Sequence, residues 1–123
     1  MYYRKLLLLF VMIILFVESK SQTDNHWKTI YTFSGSSNEA TDDFLIKADK
    51  WRIVWEAKKQ YSDFEGGNLA IYLVYPNGDE DFIANTLPTN FGKTIIRKKG
   101  TFYFKISSLL VKWKIEVQEY KEN

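Results

Sequence analysis

The 123-residue chain contains no cysteine, only one histidine, and no apolar run longer than twelve residues. Without cysteine there is no disulfide scaffold, thiolate zinc site, iron–sulfur ligation, cysteine nucleophile or lipid-modified N-terminal cysteine. A lone imidazole, His26, leaves no room for a multi-histidine metal centre, and no Ser–Asp arrangement stands near it to make a triad. A membrane-crossing helix needs about 18–20 apolar residues, so no run here is long enough to span a bilayer. No Asn-x-Ser/Thr triplet occurs, and N-glycosylation is not expected. A helical period is absent as well.

The twelve-residue run, Leu6 to Val17, follows Arg4 and Lys5 and precedes the short polar stretch Glu18 to Ser21. A basic start, an apolar middle of about 18 Å as a helix, and a small-residue end form the order of a secretory signal peptide. Cuts after Ser19 and after Ser21 both have small residues one and three places upstream. The second divides the chain into a signal peptide of residues 1–21 and a domain of residues 22–123. Retention as an uncleaved anchor is the alternative.

Removing that segment takes away Arg4, Lys5, Lys20 and Glu18, leaving 14 basic and 14 acidic residues in 22–123. The slight basicity of the whole chain belongs to the export signal. A neutral domain argues against nucleic acid or a membrane surface as partner, and export points instead to an extracytoplasmic protein or a polysaccharide. The expected location is secreted, periplasmic or otherwise extracytoplasmic.

The rest of the chain alternates with the period of two that marks half-buried strands. Trp27, Thr29, Tyr31 and Phe33 fall on one face of a first strand. Phe44 and Ile46 share a face, and Trp51, Ile53, Trp55 and Ala57 oppose Lys50, Arg52, Glu56 and Lys58. Asn68 to Tyr75 is apolar on both faces, which predicts a central strand covered on both sides. Pro76-Asn77-Gly78-Asp79 carries the positive-φ tolerance of a tight hairpin, with Asp81 to Asn85 as the returning strand. Lys93 to Lys98, Thr101 to Ser107 and Lys112 to Glu119 complete about eight strands, separated by turn residues. This predicts an all-β, antiparallel β-sandwich of jelly-roll type, with a closed barrel as the alternative. Trp51, Ile53, Trp55, Phe102, Phe104, Trp113 and Ile115 form the expected core stripe.

The segments Asp43-Phe44-Leu45-Ile46, Trp51-Arg52-Ile53-Val54-Trp55, Leu69 to Gly78, Gly100-Thr101-Phe102-Tyr103-Phe104 and Trp113-Lys114-Ile115-Glu116-Val117 follow one another in a familiar order. In this order the chain resembles the bacterial pre-peptidase C-terminal domain family over about residues 42–118. The resemblance implies a small extracytoplasmic β-sandwich, non-catalytic, attached to secretion, localisation or substrate contact.

Candidate sites are few. His26 reads as a solvent-exposed residue before the first strand, and no catalytic residue is assigned. Tyr61 and Phe64 precede Gly66-Gly67 in a loop, where exposed rings could stack on sugars; they are the candidate ligand-binding residues. Asp79 and Asp81 at the hairpin, with Asp42 and Asp43, are weak candidates for calcium, which takes six to eight oxygen ligands; the spacing of an EF-hand is absent, and turn chemistry alone accounts for them. No cofactor is otherwise expected. Arg97-Lys98-Lys99 reads as a solvated turn rather than an anion patch. The function expected is that of a secreted, non-enzymatic binding or accessory module of the cell exterior or envelope, with carbohydrate binding through the loop aromatics as the alternative.

Overall fold

The structure is a computed structural model and describes residues 26–122. The expected signal peptide lies outside the described residues. Within them the chain is all-β, with no helix. The strands are β1 (Trp27–Gly35), β2 (Glu39–Ala40), β3 (Phe44–Ile46), β4 (Trp51–Lys59), β5 (Asn68–Val74), β6 (Glu80–Thr86), β7 (Asn90–Ile96), β8 (Gly100–Leu109) and β9 (Val111–Tyr120).

All pairings are antiparallel. A first sheet has the order β1-β9-β4-β7; a second has β2-β8-β5-β6, with β3 also paired to β8. β2 and β3 pair with successive stretches of β8, so they are two halves of one interrupted strand. Thr41 bridges the break: its N–H donates to the Phe104 carbonyl at 2.9 Å, and its hydroxyl accepts from the Phe104 N–H at 2.9 Å. Counted that way there are eight strands, and the chain changes sheet at every connection except the β5–β6 hairpin. That is jelly-roll order, with sheet edges that a closed barrel would lack.

Both sheets supply the core. Trp51, Ile53, Ala57, Val111, Trp113, Ile115 and Val117 face inward from the first, and Phe44, Ile46, Leu69, Ile71, Leu73, Phe102, Phe104 and Ile106 from the second. The expected stripe is buried except for Trp55, which is half-buried. Phe44 knots the aromatic part together, with ring centroids 4.9 Å from Phe104, 5.9 Å from Trp51 and 6.2 Å from Phe102. Trp113 and Trp55 also shield glycines on the two edge strands of the first sheet. Gly35 of β1 pairs with Trp113, and Gly92 of β7 with Trp55. Each indole occupies the space a Cβ on its glycine would need, an arrangement that rescues edge-strand glycines.

The hairpin forms where Asn77-Gly78 placed it. Gly78 N–H donates to the Tyr75 carbonyl at 2.9 Å, Tyr75 N–H donates to the Asp79 carbonyl at 2.9 Å, and Gly78 has φ 90°. Of the two, Gly78 alone takes a positive φ, so the loop is the three-residue kind that needs glycine at its last position.

Two bulges correct the face assignments. The β1–β9 register slips between Thr29 and Tyr31. Tyr31 and Phe33 therefore pack on the core, while Trp27 and Thr29 join Gln118 and Tyr120 on the outer face, contrary to the uninterrupted alternation expected. A second slip between Ile71 and Tyr72 leaves Ile83 unpaired on β6 and aligns Phe82 with Tyr72. A bulge inserts one residue and re-aims its neighbours, and its sequence trace is nothing more than an ordinary β-branched residue.

Candidate functional site

β5 lies between β8 and β6, as a central strand should. Leu69, Ile71 and Leu73 fill the core, so Ala70, Tyr72 and Val74 face away from it. Across the ladders Tyr72 meets Lys105 and Phe82, Val74 meets Tyr103 and Glu80, and Ala70 meets Ser107 and Asn85. No layer of described secondary structure lies over this face. Its apolar side chains form a surface where the sequence reading expected a second cover.

The surface is a platform of rings with small residues in the gaps. Val74 and Ala70 are buried beneath longer neighbours; Tyr72 and Tyr103 are half-buried; Phe82 is 59% exposed and Leu45, on β3, 47%. The Tyr72 and Phe82 rings meet edge to face at 5.4 Å. Lys105 Nζ stands 5.1 Å above the Tyr72 ring and donates to Glu80, making one polar corner. The hydrogen bond to Glu80, with help from its charge, raises the Lys105 pKa above the ordinary lysine value.

Beside the platform a cleft of about 500 Å³ opens toward the hairpin, lined by Asp43, Val74, Tyr75, Pro76, Thr101 and Tyr103 among others. Its size and its mix of apolar walls with a few polar groups fit a binding cleft.

Asp43 is the one calcium candidate on this cleft. Asp79 and Asp81 line a separate hollow with Tyr75 and Lys98. There the Asp79 carboxylate accepts from the Asn77 amide at 3.0 Å; Asp81 accepts from the Tyr75 hydroxyl and lies 3.7 Å from Lys98 Nζ. Among the described residues no three carboxylates or imidazoles gather where a metal could sit. His26 departs from its expected exposed setting: it is half-buried, stacked 5.5 Å from the Tyr120 ring, with Nδ1 3.2 Å from the Lys121 carbonyl.

The Tyr75–Asp81–Lys98 cluster predicts an alkaline response. Burial, then the hydrogen bond to Asp81, pushes the Tyr75 pKa above 10.0, and the hydrogen bond to Tyr75 raises that of Lys98 above 10.5. Both groups hold their protons to higher pH in the folded chain than in the unfolded one. Their contribution to stability is complete below about pH 10 and falls away as pH climbs through the raised values. Tyr75→Phe should flatten the decline of melting temperature above about pH 10. Alkaline limbs of equal slope in the two proteins would contradict this.

Tyr61 and Phe64 lie at the opposite end of the sandwich. β5 runs from their loop to the hairpin, about 20 Å at the usual strand rise. Both rings are exposed, at 51% and 56%, and they meet at 5.9 Å. The loop is tied to the β8–β9 corner by Gln60 N–H, which donates to the Leu110 carbonyl at 3.1 Å. Exposed Leu87 and Leu109 are at the same end. The structure therefore does not bring the expected ligand residues to the platform. Tyr72, Phe82 and Tyr103 are the residues that sequence reasoning missed; their signal was the second apolar face of β5, with Phe82 hidden by the bulge.

No protein-family model and no curated protein matches the chain. Among solved structures it is similar to the SPBc2 prophage-derived protein YomS, at 16% identity and a TM-score of 0.49, covering 76% of this chain and 91% of that one.

Proposed function

We propose that the chain is an exported, non-catalytic binding or accessory module of the cell exterior or envelope, and that it docks an extracytoplasmic protein on the outer face of the second sheet. The observation that carries this reading is the uncovered platform of Tyr72, Phe82, Tyr103, Val74 and Leu45 beside the 500 Å³ cleft. Contiguous exposed apolar surface with a polar rim marks interaction sites. The export-signal order of residues 1–21 supports the location, and the resemblance to the pre-peptidase C-terminal domain family supports an accessory role. The non-catalytic reading draws on His26, the chain's one imidazole, being held by the Lys121 carbonyl and the Tyr120 ring.

The test is a pull-down from the extracytoplasmic fraction of the source cells, followed by affinity measurement on the protein recovered. Phe82→Ser combined with Tyr103→Ser should weaken that complex at least tenfold, with a melting temperature close to wild type because both side chains stand on an outer face. An unchanged affinity would remove the platform from consideration. A second reading, sugar binding at the loop end, is favoured by the exposure of Tyr61 and Phe64. Retention on an insoluble polysaccharide that is abolished by Tyr61→Ala with Phe64→Ala, and indifferent to Phe82→Ser, would select it.

A further inference from the structure

At the hairpin end, on the side of the first sheet, a cleft of about 530 Å³ is lined by Lys47, Ala48, Asp49, Lys50, Arg97, Tyr120 and Glu122. Three cations from two loops, β3–β4 and β7–β8, converge there. Three carboxylates lie nearby, Glu119, Asp49 and Glu122. Glu119 is turned to the backbone, where its Oε2 accepts from the N–H groups of Lys47 at 3.2 Å and Ala48 at 3.1 Å. Asp49 is 3.1 Å from Lys99. Neither Lys47 nor Arg97 has an ion-pair partner among the described residues, and Lys50 rests on rings, 4.4 Å from the centroid of Tyr120 and 5.6 Å from that of Trp27. Glu122 is the remaining carboxylate at the rim. Counted with Lys99 and Glu119, the cleft and its rim hold four cations against three carboxylates among the described residues, and Lys47 and Arg97 are the two cations left without an ion pair or a ring.

We infer that the Lys47–Lys50–Arg97 cleft binds the acidic groups of an anionic polysaccharide. Arginine presents a planar fork suited to carboxylate or phosphate, and two lysines beside it add charge without demanding a fixed geometry. The surroundings narrow the occupant. A single-stranded nucleic acid needs free ring faces for its bases, and here the rings are engaged: His26 stacks on Tyr120 at 5.5 Å, Lys50 covers it, and the Arg52 guanidinium lies 4.2 Å over Trp27. An anionic lipid surface would favour a broad apolar tip beside the cations; Leu87, Leu109, Tyr61 and Phe64 are at the other end of the sandwich, and the exposed Leu45 and Ile95, two positions from Lys47 and Arg97, are single side chains on separate strands. Tyr120, the loop carboxylates and the lysine ammonium groups supply hydrogen-bonding groups beside the guanidinium, which suits a hydroxyl-rich chain carrying acidic groups.

The site does not depend on the aromatic platform, so the two readings fail separately. The test measures binding of the folded domain to polygalacturonate, with dextran, a thymidine oligonucleotide and phosphatidylglycerol vesicles alongside. Polygalacturonate should bind at about 50 mM salt and weaken at least tenfold by about 200 mM, as screening of exposed charges requires. Lys47→Gln with Arg97→Gln should weaken it at least tenfold. Lys58→Gln with Lys112→Gln, a cross-strand pair of cations near the other end, should leave it within twofold of wild type, as should Phe82→Ser. The inference is overturned by equal binding of the Lys47/Arg97 variant, by an equal loss in the Lys58/Lys112 variant, by binding to dextran of similar strength, or by tighter binding to the oligonucleotide or the vesicles.

Discussion

Trp113→Ala is expected to destabilise the domain by about 3–5 kcal/mol, the range for removing a large buried aromatic side chain. Trp113 is 2% exposed and faces the core from β9, the strand that joins β1 to β4 in the first sheet. Three losses combine. A cavity replaces the indole; the Ser37 carbonyl loses the Nε1–H that reaches it at 3.2 Å; and Gly35 on the edge strand loses its cover. Domains of this size are stable by about 5–15 kcal/mol in all, so the variant should sit near the edge of folding. Denaturant unfolding followed by far-ultraviolet circular dichroism would show a lowered midpoint with little change in slope. A loss below about 1 kcal/mol would mean that the ring is not part of the core.

Gly92→Ala is the second large effect, and its sign is the informative part. In a strand with ordinary backbone angles, alanine for glycine usually adds about 0.4–1 kcal/mol by restricting the unfolded chain. Here a Cβ on Gly92 would lie 2.3 Å from Trp55 Cζ2 and 2.7 Å from Cε2. Trp55 cannot yield like the tip of a lysine, since those atoms belong to a rigid ring packed against the core. Its buried Nε1 has no hydrogen-bond partner, so packing alone holds the ring in place. The expected cost is about 1–3 kcal/mol, typical of overpacking. In a Trp55→Ala background the same change should become neutral or stabilising, and a double-mutant cycle would read the reversal as a coupling between the two positions. Equal effects in both backgrounds would contradict the Gly–Trp contact.

Particular residues show which parts of this molecule can be read in one dimension. The alternation of Trp51, Ile53, Trp55 and Ala57 needs only the period of a strand, and all four face the core. Asn77-Gly78 needs only local backbone preference, and the hairpin stands there. Bulges obey neither rule. Ile30 and Ile83 look like any other strand residues, yet each shifts its strand by one place and sends an aromatic, Trp27 or Phe82, to the opposite face. Whether a residue is inserted depends on how two strands match in length and twist, which the pattern of one strand does not contain. The platform was half legible. Both faces of β5 are apolar in the sequence, but deciding whether the second face meets another layer or solvent required knowing how many layers the chain makes.

Charge followed the same division. Counting alone shows that residues 22–123 are formally neutral and that the excess of basic residues lies in 1–21, and absence of cysteine throws the stability of the fold onto packed aromatics. Those conclusions rest on composition and period, quantities that do not change when the chain folds. Tertiary structure decided that Lys47, Lys50 and Arg97, separated by up to 50 positions, share one cleft. It also decided that Tyr72, Phe82 and Tyr103 from three strands share one open face. Both are juxtapositions made by long-range strand pairing, so they depend on register and crossover order rather than on local sequence.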